Sequence, residues 1–385
     1  MNRTMPDSLS FWEQDSFFSR ADLLVVGSGL TGLQTAAAVK LQRPHWRISV
    51  VDGGALPAGA STRNAGFACF GSLSELLDDL QHSSEDEVLQ LVERRWKGLL
   101  RLRKTLGDQA IRYQEFGGYE LFRKEDQAVW EACLARIDDF NQALQDITAQ
   151  QNVYQKASER VAEFGFSGIS HLILNRLEGQ VHTGHLMKSL LDYTRQLGVQ
   201  VFSGLEIQHL EERETEVQLH TAQGWKLSAR QVLLATNGFA SRLVPGLAVE
   251  PARNQVLITE PLPGHRLRGC FHYDRGYYYF RDVGDRILLG GGRNLDLQGE
   301  ATDLFGHTDT IQHGLRTLLE TVIAPGQQPV IASWWSGIMG MGPEKKPILH
   351  RHSERVLLAV RLGGMGVALS SLLAEEAGEK LIANS

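Results

Sequence analysis

Apolar positions along this chain follow two rhythms, and the places where one gives way to the other predict its elements. Residues 23–26 (LLVV) form a short unbroken apolar run, the pattern of a strand buried on both faces. GSGLTG follows at 27–32. LQTAAAVKLQ then predicts a helix of Ala and Leu that stops at or before Pro44. Residues 47–51 (RISVV) predict a second strand, closed by Asp52. The three make a βαβ opening of about 30 residues.

Further on, Leu76, Leu77, Leu80, Val88, Leu91 and Val92 recur at helical spacing and predict one helix over 74–107. A second helix is predicted over 125–145. Between them, 112–122 holds a Gly-Gly pair and aromatics and predicts strands. Residues 183–197 read as a helix and 200–202 as a short strand. Alternation at 216–220 and 225–227 predicts a half-exposed antiparallel pair. QVLLA (231–235) reads as a buried strand entering ATNGFAS (235–241). Strands are predicted at 256–260, 276–280 and 286–289, and a helix at 308–323. The chain closes with a strand at 356–360, the turn LGGMG and a helix over 367–382. No internal repeat or low-complexity tail is present.

The 385 residues are 42% hydrophobic and 22% charged, which is globular composition with room for two or three domains. A net charge of −6, without a Lys/Arg-rich block, argues against nucleic acid as a partner. Cys69, Cys133 and Cys270 are far apart, with no Cys-x-x-Cys pair. Neither a disulfide framework nor a zinc site is indicated, and a reducing compartment fits. The N-terminal twenty residues hold no signal-peptide run, and no stretch reaches the ~20 apolar residues of a membrane span. The expected location is cytoplasmic. The 13 histidines show no metal-binding spacing, so no metal is expected. Hydrolase and phosphoryl-transfer motifs are absent.

Gly27, Gly29 and Gly32 stand between a buried strand and a helix, and this context gives GxGxxG its weight. The first permits the tight turn. The second lets a pyrophosphate approach the backbone, and the third lets helix and strand pack closely. The helix start at Leu30 and Thr31 then presents free N–H groups and a partial positive charge to phosphate. Asp52, 20 residues beyond Gly32 and followed by Gly53, is placed to accept hydrogen bonds from a ribose. The motif alone does not separate FAD from NAD.

GASTRNAGF, at 59–67, resembles the second flavin fingerprint of the D-amino acid oxidase-like (DAO) family of FAD-dependent oxidoreductases, which includes glycine oxidase, monomeric sarcosine oxidase and D-amino acid dehydrogenases. The resemblance continues through EGQVHTGHLMKSLL (178–191), LLATNGFAS (233–241), RILLGGG (286–292), WSGIMGMGPEKKPIL and RVLLAVRLGGMGVALSSLLAEEAGEKL, in order, from residue 21 to about 382. It implies an α/β fold. A Rossmann-like FAD-binding domain would be built from 1–75, 155–250 and 330–385. An inserted substrate domain, 76–154 and 251–329, would carry a mixed or antiparallel sheet, with substrate between that sheet and the flavin ring.

By the same resemblance, FAD contacts would come from the first glycine motif, from Ser61, Thr62, Arg63, Asn64, Ala65 and Gly66, and from Thr236 and Gly337. Gly363, Gly364, Met365, Gly366 and Val367 would complete them at the flavin end, where a helix N-terminus stabilises negative charge on the reduced ring. Arg63 would pair with a phosphate oxygen or sit beside the flavin; its alternative reading is an exposed loop residue. Gly337 falls where some relatives carry a flavin-linked Cys, so FAD is expected to be non-covalent. Cys69, inside the flavin loop, reads as a small buried hydrophobe.

Relatives anchor a substrate carboxylate with an Arg after Trp-x-Gly, where this chain has Met339. Two family lysine positions fall at Ala368 and near Leu288. The usual clamp is thus missing, which argues against a simple α-amino acid as substrate or for another cation in its place, Arg281 or Arg361. Arg361 reads alternatively as the partner of an acidic neighbour. In the run 277–280 (YYYF) alternate members share a face, so either Tyr277 with Tyr279 or Tyr278 with Phe280 would face the site, the others packing in the core. Tyr278, Arg281, Met339 and Arg361 are the pocket candidates. The expected reaction is oxidation of a C–N bond in a small amine or amino-acid derivative by hydride transfer to flavin N5. The electron acceptor is open. The alternatives are a dehydrogenase of a hydroxy acid or polyol, although Met365 stands where such relatives often have His, and a flavin-binding protein without amine turnover.

Overall fold

The computed structural model describes residues 8–384; residues 1–7, the start of the N-terminal stretch read above, and residue 385 lie outside the described residues. The chain divides into two compact units, Met1–Thr62 with Gly184–Ala252 and Ile338–Ser385, and Arg63–Thr183 with Arg253–Gly337.

In the first unit, strands Ala21–Val26, Ile48–Asp52, Gln200–Ser203, Lys226–Leu234 and Val356–Val360 pair in parallel. The sheet order runs Ile348–Arg351, Val356–Val360, Lys226–Leu234, Ala21–Val26, Ile48–Asp52, Gln200–Ser203. Strand Ile348–Arg351 is antiparallel to its neighbour, and Ile207–Glu212 with Val217–Thr221 extend Lys226–Leu234 as an antiparallel meander. Apolar runs without alternation suit strands covered on both faces. Leu23, Val25, Val50 and Leu233 are fully buried, while Leu24, Val26, Val51, Val232 and Leu234 pack with Trp225 and Leu227 in another cluster. Helix Leu30–Gln42 is buried almost all round and ends before Pro44. It packs on the closing helix Gly366–Ala383, where Gln34 Nε2 donates to Ser370 Oγ at 2.9 Å.

The second unit is built on an eight-stranded sheet, ordered Ile331–Met341, Glu250–Thr259, Arg286–Gly291, Tyr278–Val283, Cys270–Tyr273, Gly118–Arg123, Ile169–Asn175, Tyr154–Lys156. From Glu250–Thr259 to Tyr154–Lys156 the pairings are antiparallel apart from Cys270–Tyr273 beside Gly118–Arg123, which is parallel. On one face Tyr119, Phe271, Tyr278, Phe280, Leu257 and Leu289 meet Ile311 and Leu315 of helix Asp309–Leu318. Phe271 stacks on both Phe280 (4.9 Å, 6°) and Tyr119 (5.3 Å, 22°). Across the sheet, Phe122 and Ile173 join Phe70, Leu73, Val92 and Phe140 under the helices Glu85–Leu106 and Gln127–Thr148. The α/β class and the two kinds of sheet agree with expectation.

Two helix expectations need correction. The helix over 74–107 is two helices, Leu73–Asp79 and Glu85–Leu106. Ser84 starts the second: its hydroxyl accepts the Glu87 N–H, and the Glu87 carboxylate accepts the Ser84 N–H. A capping box restarts a helix even where apolar spacing runs on. Residues 63–75, 155–183 and 330–337, which the resemblance assigns to the cofactor domain, cluster with the second unit. The physical reason is pairing: Ile169–Asn175 belongs to the second sheet, and Phe67–Ala68 pairs with Gly179–Gln180. The 308–323 helix continues past Leu318 as one wider turn, Leu319–Ile323. Strands Tyr154–Lys156, Ile169–Asn175, Cys270–Tyr273, Ile331–Met341 and Ile348–Arg351 were not anticipated.

Removing the Phe271 ring should leave a cavity in the aromatic stack. Phe271→Ala is expected to cost about 3–5 kcal/mol, read as a lowered denaturant midpoint; a loss below about 1 kcal/mol would contradict this packing.

Candidate functional site

In the first unit three glycines bring strand and helix together. A Cβ on Gly32 would lie 1.9 Å from the Gly27 carbonyl oxygen, and one on Gly27 (φ +106°) would lie 2.7 Å from the Ala235 oxygen. One on Gly29 would lie 2.8 Å from Ser61 Oγ. Gly29 has no side chain with which to cap helix Leu30–Gln42, and Ser61 Oγ accepts the Leu30 N–H at 3.0 Å. Thr31 is buried behind them. Asp52 Oδ2 accepts from Ser28 N (2.8 Å) and Ser28 Oγ (2.7 Å), and its Oδ1 accepts from Gly54 N (2.9 Å). The carboxylate is fixed at the end of its strand beside Gly53. Thr62 donates to the Pro57 carbonyl at 2.6 Å. Thr236, in the turn after Leu234, keeps a buried Oγ1 with no hydrogen-bond partner.

A second backbone seam lies at the closing turn. Asn237 Oδ1 accepts both the Arg361 N–H (3.0 Å) and the Leu362 N–H (3.2 Å). Cβ atoms on Gly238 and Gly340 would lie 2.6 Å from the Met339 carbonyl oxygen and 2.7 Å from Asn237 Oδ1. The Gly363 N–H donates to the Gly340 carbonyl. Met339, Gly363 and Gly364 are thereby gathered before the closing helix, whose N-cap, Met365, makes no side-chain cap bond. Gly366 opens that helix, and Val367 is buried in its first turn. Asn237 stands next to Thr236 in ATNGFAS, but its two acceptor bonds go to Arg361 and Leu362, more than a hundred residues on, so the motif alone does not reveal it.

Arg361 is buried in a left-handed conformation (φ +63°). Its guanidinium donates to the Lys346 carbonyl (3.0 Å), the Ala248 carbonyl (3.3 Å) and the Glu344 carboxylate (3.4 Å). This is the partner-of-an-acid reading, and its bonds hold the closing turn.

In the second unit, pairing sets one face of the sheet row by row. Glu120, His272, Tyr279 and Gly290 are registered neighbours, as are Gly118, Cys270, Arg281 and Leu288. Tyr279 packs with Phe67, Ala65, Val256, Leu288 and Trp335. Gly290 leaves it room, since a Cβ there would meet its ring at 2.5 Å. Tyr278 does not share this face. It packs with Phe280 in the core under helix Asp309–Leu318, on the side away from Tyr279. Leu288 is buried in an apolar cluster.

Segment 63–66 lies against this face. Arg63 donates to the Ser336 carbonyl at 3.0 Å and stacks its guanidinium on Phe305 at 4.7 Å, so it is not a loose loop cation. Gly337 follows Ser336 in a buried stretch of strand. Asn64 Oδ1 accepts the Gly66 N–H at 2.8 Å. Arg281 is buried and gives its guanidinium to main-chain carbonyls of Ala65, Asp282 and Val181.

Spacing could not show that Cys69, Glu178 and His272 meet, because they are far apart in sequence. All three are buried, with their ligand-type atoms within 4.8 Å of one another. His272 Nε2 and Glu178 Oε2 lie 2.8 Å apart, and burial pushes the Cys69 thiol well up, so it stays protonated. Glu120, beside them, takes the Ser72 and Ser74 hydroxyls and the Ser74 N–H, and burial pushes its carboxyl up. The three cysteines form no disulfide among the described residues.

The family model for DAO, FAD dependent oxidoreductase, matches residues 22–380. No curated protein matches. Among solved structures, glycine oxidase from Geobacillus kaustophilus is 21% identical over 94% of this chain and 95% of its own, with a TM-score of 0.74. Iminodiacetate oxidase from Chelativorans sp. BNC1 is 17% identical over 94% and 95%, with a TM-score of 0.74. L-proline dehydrogenase from P. horikoshii is 14% identical over 94% and 93%, with a TM-score of 0.74. At these identities the likeness is one of fold. Among the described residues no helix is long and apolar enough to cross a membrane.

The buried pair makes a pH prediction. Burial alone would push the His272 imidazole down, but the Glu178 carboxylate, with Glu75 and Glu120 nearby, raises it above its ordinary 6.5. The folded state holds this proton more tightly than the unfolded chain. Its contribution to stability is full below about pH 6.5 and is lost as pH rises through the raised folded value. The wild-type unfolding midpoint should therefore fall on going from about pH 6 to 9 more steeply than that of His272→Gln. Parallel profiles would mean that the pair carries no linked proton.

Proposed function

Because this chain belongs to the DAO family of FAD-dependent oxidoreductases, we propose that it oxidises a carbon–nitrogen bond of a small amine or amino-acid-like molecule, using non-covalently held FAD. The residues at the strand–helix junction fit that cofactor. Gly27, Gly29 and Gly32 bring bare backbone to the start of helix Leu30–Gln42, and the buried Thr236 Oγ1 lacks a partner that a ligand atom would supply. This cradle is the observation that carries the cofactor reading. Asp52 keeps acceptor capacity for a ribose hydroxyl, since a carboxylate has about four lone-pair sites and three bonds are made here. Leu30, Thr31, Gly53, Ser61 to Gly66 and Thr236 are assigned to FAD with it. At the other end, Gly363, Gly364, Met365, Gly366 and Val367 open a helix whose N-terminal field favours negative charge on the flavin. Gly337 offers no thiol, which supports non-covalent binding.

When bound, FAD would supply a hydride acceptor, flavin N5, for the carbon that bears nitrogen; the neutral amine that gives up the hydride is left as an iminium ion, which water hydrolyses. The chain's own contribution is binding, orientation and exclusion of water. The substrate reading rests on the missing clamp. Met339, Ala368 and Leu288 carry no charge, and the two arginines that could replace a clamp, Arg281 and Arg361, are engaged with protein acceptors. An amine without an α-carboxylate fits that arrangement best.

The test is anaerobic reduction of the purified holoprotein, followed at ~450 nm where oxidised flavin absorbs. The panel holds amines, α-amino acids, N-methyl amino acids and hydroxy acids. Bleaching by an amine lacking the carboxylate is expected. Bleaching by simple amino acids alone would overturn the clamp argument, bleaching by hydroxy acids alone would overturn C–N oxidation, and protein that takes up no FAD would overturn the cofactor reading.

A further inference from the structure

We propose that Arg281 is a positioning residue for the cofactor, which fixes the main chain of segment 63–66 and does not bind substrate. The inference rests on the reading above that this segment holds FAD. Its basis is that four successive carbonyls are each held by a different donor. Trp335 Nε1 donates to the Arg63 carbonyl at 2.9 Å, and Thr183 Oγ1 to that of Asn64 at 3.1 Å. Arg281 Nε donates to the Ala65 carbonyl at 2.5 Å, and the Val181 N–H to that of Gly66 at 2.8 Å. With four consecutive carbonyls tied, the peptide planes of the segment cannot rotate independently.

Arg281 is the charged member of that set, and it bridges. While Nε holds Ala65, Nη2 donates to the Val181 carbonyl at 3.1 Å and Nη1 to its neighbour Asp282 at 3.1 Å. Val181 thus accepts from the guanidinium and donates to Gly66, closing a ring through the segment. Gly66 (φ +78°) completes it. A Cβ there would lie 2.3 Å from the Val181 oxygen and 2.8 Å from Arg281 Nη2. The Asp282 carboxylate is turned to the Gly269 N–H at 2.9 Å, so the buried guanidinium is solvated by main-chain dipoles. A planar fork with donors fixed in direction can do this, and a lysine ammonium cannot reproduce it. Three of the guanidinium's five N–H donors are committed to carbonyls and the side chain is buried, which disfavours a second role as a bidentate anchor for a substrate carboxylate.

The experiment compares wild type, Arg281→Lys, Arg281→Met and Thr183→Val. FAD is titrated into apoprotein by fluorescence, and the bound flavin's visible spectrum and midpoint potential are recorded. Arg281→Lys should weaken FAD binding by about tenfold or more, with a changed spectrum and potential, despite retaining charge. Arg281→Met should weaken it further. Thr183→Val removes one hydroxyl and should shift the same readouts in the same direction by a smaller factor, so it decides the matter if the Arg281 variants do not fold. A merely stabilising residue would lower the unfolding temperature and leave potential and spectrum unmoved. Wild-type affinity, spectrum and potential in Arg281→Lys, or in Thr183→Val where the arginine variants fail to fold, overturns the proposal. If wild-type protein takes up no FAD, the parent reading falls and takes this one with it.

Discussion

A methyl group at position 32 would sit 1.9 Å from the Gly27 carbonyl, and much of the first unit depends on its not being there. Backbone against backbone is the closest packing a protein can make, and only glycine permits it. That contact lets helix Leu30–Gln42 start directly at the end of the first strand. The same device recurs at Gly238 and Gly340, where the turn after Leu234, strand Ile331–Met341 and the closing turn meet. Each seam ends at a helix N-terminus that no side chain from its N-cap residue satisfies. Such starts favour an electron-rich ligand.

The second unit solves a different problem. One face of its sheet is an aromatic core. The other carries a cation, a histidine–carboxylate pair and a second buried carboxyl, all away from water. Buried charge is tolerated only when it is bonded. Here the partners are largely main-chain carbonyls, N–H groups and hydroxyls, so the polar groups that need satisfying also fix the path of the chain over them.

Much of this was legible. The unbroken apolar runs gave the parallel strands, and three glycines with an acidic residue at the next strand end gave the cradle, because each motif is local. The capping box at Ser84 was also local, but it was hidden by apolar residues that kept helical spacing across the break. Sites assembled from distant residues left no such trace. Cys69, Glu178 and His272 meet through strand order, and nothing near any one of them says so. Alternation showed that Tyr278 and Tyr279 must face opposite ways. It could not say which side the helix Asp309–Leu318 would cover, and that covering decided it. Arg361 likewise stood out by its place in a glycine turn, yet its partners Ala248, Glu344 and Lys346 come from elsewhere in the chain.

The alternation along Tyr278–Val283 has an evolutionary consequence. A single inserted or deleted residue there would exchange the two faces downstream. Arg281 would enter the aromatic stack of Phe271 without partners, and an apolar ring would replace the guanidinium among the carbonyls. Changes of length should therefore be purged from the strand itself. They have an outlet in the two-residue hairpin Gly284-Asp285, where Gly284 already takes a left-handed φ of +60° and a Cβ would meet nothing within 4 Å. Homologous chains should differ in length at that tip and keep the strand's parity unchanged.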